Sequence, residues 1–266
     1  MRAALFQGPA ISGDVAVNVA AITASATQAA GRGANILITP EMSATGYNIG
    51  ALSAARAEPA DGPLLAAITE IAVRAKIAIG YGFPELTAGG IYNAVQVVGP
   101  RGEILAHYRK THLYGELDRG LFIPGDRLVS QFDLRGFTCG LAICYDVEFP
   151  ELVRAHADAG TEVLFVPTAL MRPFEVVSTI LVPARAYENQ IFLAYVNRCD
   201  VEDDLRYCGL TCAVGPDGVD LARAGEGEEL LIVDIDPTAL ATGREINTHL
   251  RDRRGDLYGG GAVTAR

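Results

Sequence analysis

Residues 138–166 read TCGLAICYDVEFPELVRAHADAGTEVLFV. The run 138–143 is apolar and short, as expected of a buried strand. The chain then turns polar, and from Pro150 to 159 it takes on helical character, with proline placed where a first helical turn accepts it. A second apolar run, 162–166, predicts another strand. Strand, helix and strand in succession belong to the α/β class. The pattern continues outward, with a helix over 176–189 and a strand over 191–196. Upstream, strands are expected over 1–6, 35–39 and 77–83. Helices are expected over 14–30, with Asp14 as N-cap and Gly31 as stop, and over 63–76, starting at Pro63.

Two features break this alternation. Runs 92–98 and 103–108 flank Gly99-Pro100-Arg101-Gly102, which signals a hairpin. Three more strands are expected near the end, over 210–214, 219–222 and 230–235. Mixed sheets in a layered α/β domain follow, not a purely parallel sheet. No repeat, low-complexity tract or linker divides the chain, so residues 1–266 are expected to form a single domain. The polar, glycine-rich tail from about residue 242 is expected to be a surface arm or part of a subunit contact.

Composition removes whole classes of function. Half of the 266 residues are hydrophobic and 20% are charged, as in ordinary globular proteins. The net charge of −10 argues against a nucleic-acid binder. The start, MRAALFQGPAISGD, lacks the layout of a secretory signal, and no apolar run is long enough to span a membrane. A cytoplasmic protein with reduced thiols is expected. The odd count of five cysteines opposes a fully paired disulfide framework, and four scattered histidines give no metal-binding spacing. A metal site is not expected.

Reactive groups in α/β proteins gather past the carboxyl ends of strands. The polar residues in those places are Glu41 after NILITP, Lys110 after EILAHYR and Cys144 after FTCGLAI. Their chemistry is complementary. A thiol near its usual pKa of about 8.5 is mostly protonated at neutral pH. A neighbouring carboxylate raised by burial can take its proton, and an ammonium can stabilise a developing oxyanion. Cys144 also precedes a helix start, where backbone N–H groups are free to bind such an oxyanion. Each residue taken singly also has a structural explanation: core packing for Cys144, loop capping for Glu41, solvation for Lys110.

Three blocks, LITPEMSATGY, YRKTHLYGELDRGLFIPGD and GLAICYDVEFPE, resemble in order and spacing the signature blocks of the carbon–nitrogen hydrolase (nitrilase) superfamily. The likeness continues through VLFVPTALMRPF, PARAYENQIFLAYVNR and RRGDLYG. It implies a four-layer α-β-β-α sandwich and pairing of subunits into a homodimer or a higher homo-oligomer. It implies Glu41 as general base, Lys110 as oxyanion stabiliser and Cys144 as nucleophile, with the Tyr145 backbone N–H completing the oxyanion site and with neither cofactor nor metal. The expected activity is hydrolysis of a small-molecule amide to an acid and ammonia through a cysteine thioester. N-carbamoyl amides and nitriles are alternative substrates. The chain would also suit a Cys–His hydrolase using His112 or His156, or a member of the superfamily that binds without catalysis.

The chain bends the pattern in places. Where many members carry a second glutamate after the lysine, alignment gives Asp118, while Glu116 lies two residues earlier, and both stay open. Cys144-Tyr145-Asp146 resembles amidases of the superfamily and lacks the Cys-Trp-Glu of true nitrilases. Branches that act on carboxylate-bearing substrates often place an arginine four residues past the nucleophile, and here Glu148 stands there. A carboxylate at that point is expected to disfavour anionic substrates, unless it only caps the following helix or supports Lys110. Arg172 is a candidate positive charge near the pocket. Tyr47 and Thr168 are candidates for its walls.

Overall fold

The computed structural model describes residues 1–258. The first half runs β1 (Arg2–Gln7), α1 (Val15–Gly31), β2 (Ile36–Ile38), α2 (Leu52–Arg56), α3 (Pro63–Ala75), β3 (Ala78–Thr87), β4 (Gly90–Val98), β5 (Ile104–Arg109) and α4 (Gly115–Arg119). The second continues with β6 (Gln131–Leu134), β7 (Phe137–Leu141), α5 (Pro150–Asp158), β8 (Val163–Pro167), α6 (Val182–Asn189) and β9 (Phe192–Val196). A small hairpin of β10 (Val201–Glu202) and β11 (Leu205–Arg206) precedes β12 (Cys212–Val214), β13 (Asp220–Arg223), β14 (Glu229–Asp234) and α7 (Pro237–Ile246).

Two six-stranded mixed sheets result, ordered β14-β1-β2-β3-β4-β5 and β13-β12-β9-β8-β7-β6. In these sheets the ladders are parallel within β1-β2-β3 and β7-β8-β9 and antiparallel between the other neighbours. These central strands are covered on both faces, so they appear in the sequence as unbroken apolar runs. Alternation still divides their side chains. In β8, Val163 and Phe165 meet the other sheet, whereas Leu164 and Val166 meet the helices. In β1, Ala3 and Leu5 face inward, and Ala4 and Phe6 face the helical layer. α1 and α3 cover the first sheet through Ile22, Ala26, Ile68 and Ala72, while α5 and α6 cover the second through Leu152, Val153, Val182 and Ala186. The architecture is the expected α-β-β-α sandwich. α5 lies so close to β7 that a Cβ on Gly140 would come 2.6 Å from His156 Nδ1.

Some expectations shift. Asp14 caps α1 by accepting from the Val17 N–H at 3.1 Å, but the helix includes Gly31, and the turn to positive φ falls on Gly33. The expected helix 176–189 opens with a turn of π-helix (Val177–Leu181) before α6. β14 leaves the sheet of its sequence neighbours β12 and β13 and pairs antiparallel with β1, Ala4 opposite Ile232. α7 extends to Ile246, past the expected start of the tail, and Gln190 Nε2 holds it by donating to the Gly243 carbonyl at 3.0 Å. The glycines 259–261 of the tail lie outside the described residues. No helix among the described residues is long and apolar enough to cross a membrane.

Candidate active site

Both sheets deliver residues to one spot. Glu41 follows β2, Lys110 follows β5, Cys144 follows β7 and Thr168 follows β8. Local structure fixes each. The Glu41 loop is closed by a 2.6 Å hydrogen bond between the Thr39 and Ser43 hydroxyls, and Met42 sits at φ +52°. β3 can lie against it only because residue 82 is glycine: a Cβ there would be 2.4 Å from the Met42 nitrogen. Lys110 extends β5 by one residue, its N–H donating to the Asn93 carbonyl at 2.8 Å. Cys144 sits at φ +47° at the start of a 3-10 turn (Cys144–Glu148). That left-handed conformation is costly for a residue with a Cβ, and it persists where surrounding structure over-determines it.

Asp146 supplies much of that restraint. Its Oδ2 accepts from the Ile143 N–H at 3.0 Å and the Tyr108 hydroxyl at 2.8 Å. Its Oδ1 accepts from the Thr111 hydroxyl and the His112 N–H, both at 2.9 Å. One buried carboxylate thus ties the cysteine turn to the segment just after Lys110. From α6, Arg185 donates to the Val147 and Glu148 carbonyls at 3.1 and 2.9 Å.

Lys110 Nζ lies 2.8 Å from Glu41 Oε1 and 2.7 Å from Asp118 Oδ2, with all three side chains fully buried. Asn93 Nδ2 donates to the same Glu41 oxygen at 2.7 Å, whereas Glu41 Oε2 is buried with no partner. Asp118 is held by the Tyr47 hydroxyl at 2.9 Å and the Tyr114 N–H at 2.8 Å. Burial raises the Glu41 carboxyl, and Lys110 only partly offsets this. Burial and then the Glu41 charge push the Cys144 thiol up, against the opposing pull of Lys110 and Thr168. Burial alone would neutralise Lys110, but the charges of Glu41 and Asp118 outweigh it and keep the ammonium protonated.

Cys144 lines a cavity of about 230 Å³ together with Tyr47, Tyr114, Tyr145, Glu148, Ala169–Met171 and Phe174. Thr168 is buried beside the thiol. Of the two carboxylate candidates after the lysine, the short α4 turns Asp118 inward and leaves Glu116 exposed beside Arg119. Residues two apart on a helix point in nearly opposite directions. Arg172 does not line the cavity; it pairs with Glu175 at 2.8 Å and Glu226 at 2.6 Å. Glu148 makes no cap for α5, whose N-cap is Phe149. His112 is bonded to Asp146 at 2.8 Å and stacked on Phe149, while His156 bonds Thr161 at 3.0 Å. Neither histidine lines the cavity.

Asn93, Tyr114, Asp146 and Phe174 escaped the sequence. Asn93 left a trace, as a buried amide inside the apolar run of β4. Tyr114 left none, and Asp146 showed only as the third residue of the Cys144-Tyr145-Asp146 triplet, since their partners lie on segments whose approach is tertiary.

Comparison with known proteins agrees with this geometry. A "hydrolase in pqqF 5'region" of Pseudomonas protegens is 44% identical over 97% of this chain and 90% of its own. An "(R)-stereoselective amidase" of Pseudomonas sp. is 37% identical over 97% of this chain and 93% of its own. A solved glutamate-to-leucine mutant of the amidase from Nesterenkonia sp. AN1 superposes with a TM-score of 0.86 at 34% identity, covering 97% of this chain and 95% of that one. Its active-site cysteine carries the acetamide moiety of fluoroacetamide. The model of the carbon-nitrogen hydrolase family matches residues 2–245. Glu41, Lys110 and Cys144, drawn together from three strand ends, therefore sit in a chain that belongs to the carbon–nitrogen hydrolase family.

Proposed function

We propose that the protein is an amidase that hydrolyses a small-molecule amide to a carboxylic acid and ammonia through a thioester on Cys144. The observation that carries the assignment of roles is Glu41 Oε2, a buried carboxylate oxygen with no hydrogen-bond partner in a site where the other oxygen is fully engaged. An orphaned buried acceptor is costly and calls for a function. Here it is the seat for the Cys144 proton.

Burial raises the thiol, which keeps the resting sulfur uncharged, and it raises the Glu41 carboxyl, which makes its carboxylate a stronger base than an exposed one. Glu41 takes the thiol proton as Sγ bonds to the amide carbon. The carbonyl electrons move to oxygen, where Lys110 and the Tyr145 N–H stabilise the oxyanion. Tyr145 stands in the first turn after Cys144, where N–H groups lack intrahelical acceptors. Collapse breaks the carbon–nitrogen bond, and Glu41 returns its proton to the departing nitrogen. Water then gives a proton to Glu41 and attacks the thioester carbon. The second collapse expels sulfur, which recovers the proton. Asp118 serves as the auxiliary carboxylate by holding Lys110 between two anions. Tyr47 and Thr168 shape the pocket.

The activity is carried by a single domain spanning the chain. Phe174, Val176, Ile180 and Tyr187, all exposed around α6, support packing against a second copy. Five unpaired cysteines support residence in the cytoplasm. An ammonia-release screen over amides, N-carbamoyl compounds and nitriles, with Cys144→Ala as control, tests the proposal. Ammonia from amides, with an acyl adduct on Cys144 by intact mass, is expected. No turnover and no adduct across the panel refutes it in favour of a binding protein.

A further inference from the structure

Glu148 is unexplained by the mechanism. It is half-buried on the wall of the Cys144 cavity, caps no helix, and its carboxylate has no hydrogen-bond donor among the described residues. Arg185, whose charge also reaches Glu148, is committed to the Val147 and Glu148 backbone carbonyls and to Glu188 at 3.0 Å. Lys110 is already shared between Glu41 and Asp118. Glu148 is therefore the carboxylate in the cavity lining, and both cations whose charge reaches it are engaged by other carboxylates.

The rest of the wall suits the same ligand. Tyr114 meets Tyr145 edge-on at 5.4 Å between ring centroids and Phe174 edge-on at 6.3 Å. Tyr145 and Tyr114 line the cavity together with Glu148. Aromatic faces beside one unpaired carboxylate are what a compact ammonium prefers, because ring quadrupole and charge attract it together in a partly dry site. An acyl group bearing a carboxylate would meet Glu148 without a compensating arginine, since Arg172 is engaged by Glu175 and Glu226.

We propose that Glu148 and the aromatic wall form a cation subsite, and that the preferred substrates are amides whose acyl group carries a protonated amine. This rests on the amidase proposal and specifies its substrate class. The ammonium sits against Glu148 while the amide carbonyl reaches Cys144 and Lys110.

The test uses amide pairs of matched shape: alaninamide against isobutyramide, and prolinamide against cyclopentanecarboxamide. The ratio of kcat/KM, cationic over neutral, is measured within each enzyme, so overall losses cancel. The native protein is expected to favour the cationic member by about tenfold or more, chiefly through KM, as one partly buried ion pair allows. Glu148→Gln is expected to bring the ratio close to one, and Glu148→Asp to retain part of it. Should Glu148→Gln fail to fold, the native ratio and the Glu148→Asp ratio still decide. A native ratio at or below one, or a ratio that Glu148→Gln leaves unchanged, overturns the subsite while ammonia release from the neutral amides keeps the amidase proposal standing. Absence of hydrolysis of every amide, with no Cys144 adduct, removes both.

Discussion

Asp118→Asn probes the site where two carboxylates share one buried lysine. Lys110 Nζ is 2.8 Å from Glu41 and 2.7 Å from Asp118, and none of the three side chains is exposed. Removing one partner of a buried pair costs about 3–5 kcal/mol, because the remaining charge is left undercompensated. Here Glu41 remains, which places the ionic loss at the low end, about 3 kcal/mol. Asp118→Ala also strands the Tyr47 hydroxyl and the Tyr114 N–H, adding about 1 kcal/mol each. The Ala variant is therefore expected to lose about 5 kcal/mol, and the isosteric Asn variant, which keeps one acceptor, about 2–3 kcal/mol. The Asp118 charge is also one of the influences that raise Glu41. Without it Glu41 pairs more closely with Lys110 and becomes a weaker base. The acid limb of kcat/KM should move to lower pH and kcat should fall by about 10²-fold. Urea denaturation and ammonia release across pH, for Asp118→Asn, Asp118→Ala and Glu116→Ala, read both effects. Glu116→Ala should leave midpoint and profile unchanged. If Asp118→Asn leaves the acid limb in place, or Glu116→Ala reproduces the losses, the two-carboxylate account of the base is wrong.

Glu41→Gln keeps the shape of the site but cannot accept the thiol proton, so kcat should drop by about 10³-fold with unaltered far-UV circular dichroism. Activity within tenfold of native would exclude Glu41 as the base. Gly140→Ala drives a Cβ to within 2.6 Å of His156 Nδ1 and should destabilise by about 1–3 kcal/mol in thermal unfolding. A native melting temperature in that variant would mean that α5 can shift freely. Two groups set separate acid windows. Burial lowers His156 to about 4, so the stability tied to its neutral form is complete above its ordinary 6.5 and is lost as pH falls towards 4. Burial alone would raise Glu85, but Arg109 and His107 outweigh it and bring it to about 2. Its contribution is whole above about 4.5 and is lost as pH falls towards 2. Urea midpoints measured from pH 7 to 2 should therefore fall in two steps, with Glu85→Gln removing the lower one. A lower step that survives in Glu85→Gln assigns it elsewhere.

The class of the fold and the three residues at the strand ends are legible in the chain. Parallel strands buried on both faces must be apolar at every position, so β2, β7 and β8 stand out as runs, and the first reactive residue beyond each, or beyond β5, is visible in the chain. Which residues stand side by side is set by the packing of distant segments. Glu116 and Asp118 are equally acidic and two residues apart, and the direction of one turn of α4 sends one to solvent and the other to Lys110. Arg172 carries the charge expected near a pocket, yet Glu175 beside it and Glu226 from a distant loop take it. β14 follows β12 and β13 directly in the chain, but it crosses to the first sheet to pair with β1. Periodicity records whether a face is buried, because burial selects residue type position by position. It carries no record of which surface does the burying, and that depends on how segments far apart in the chain fill space together.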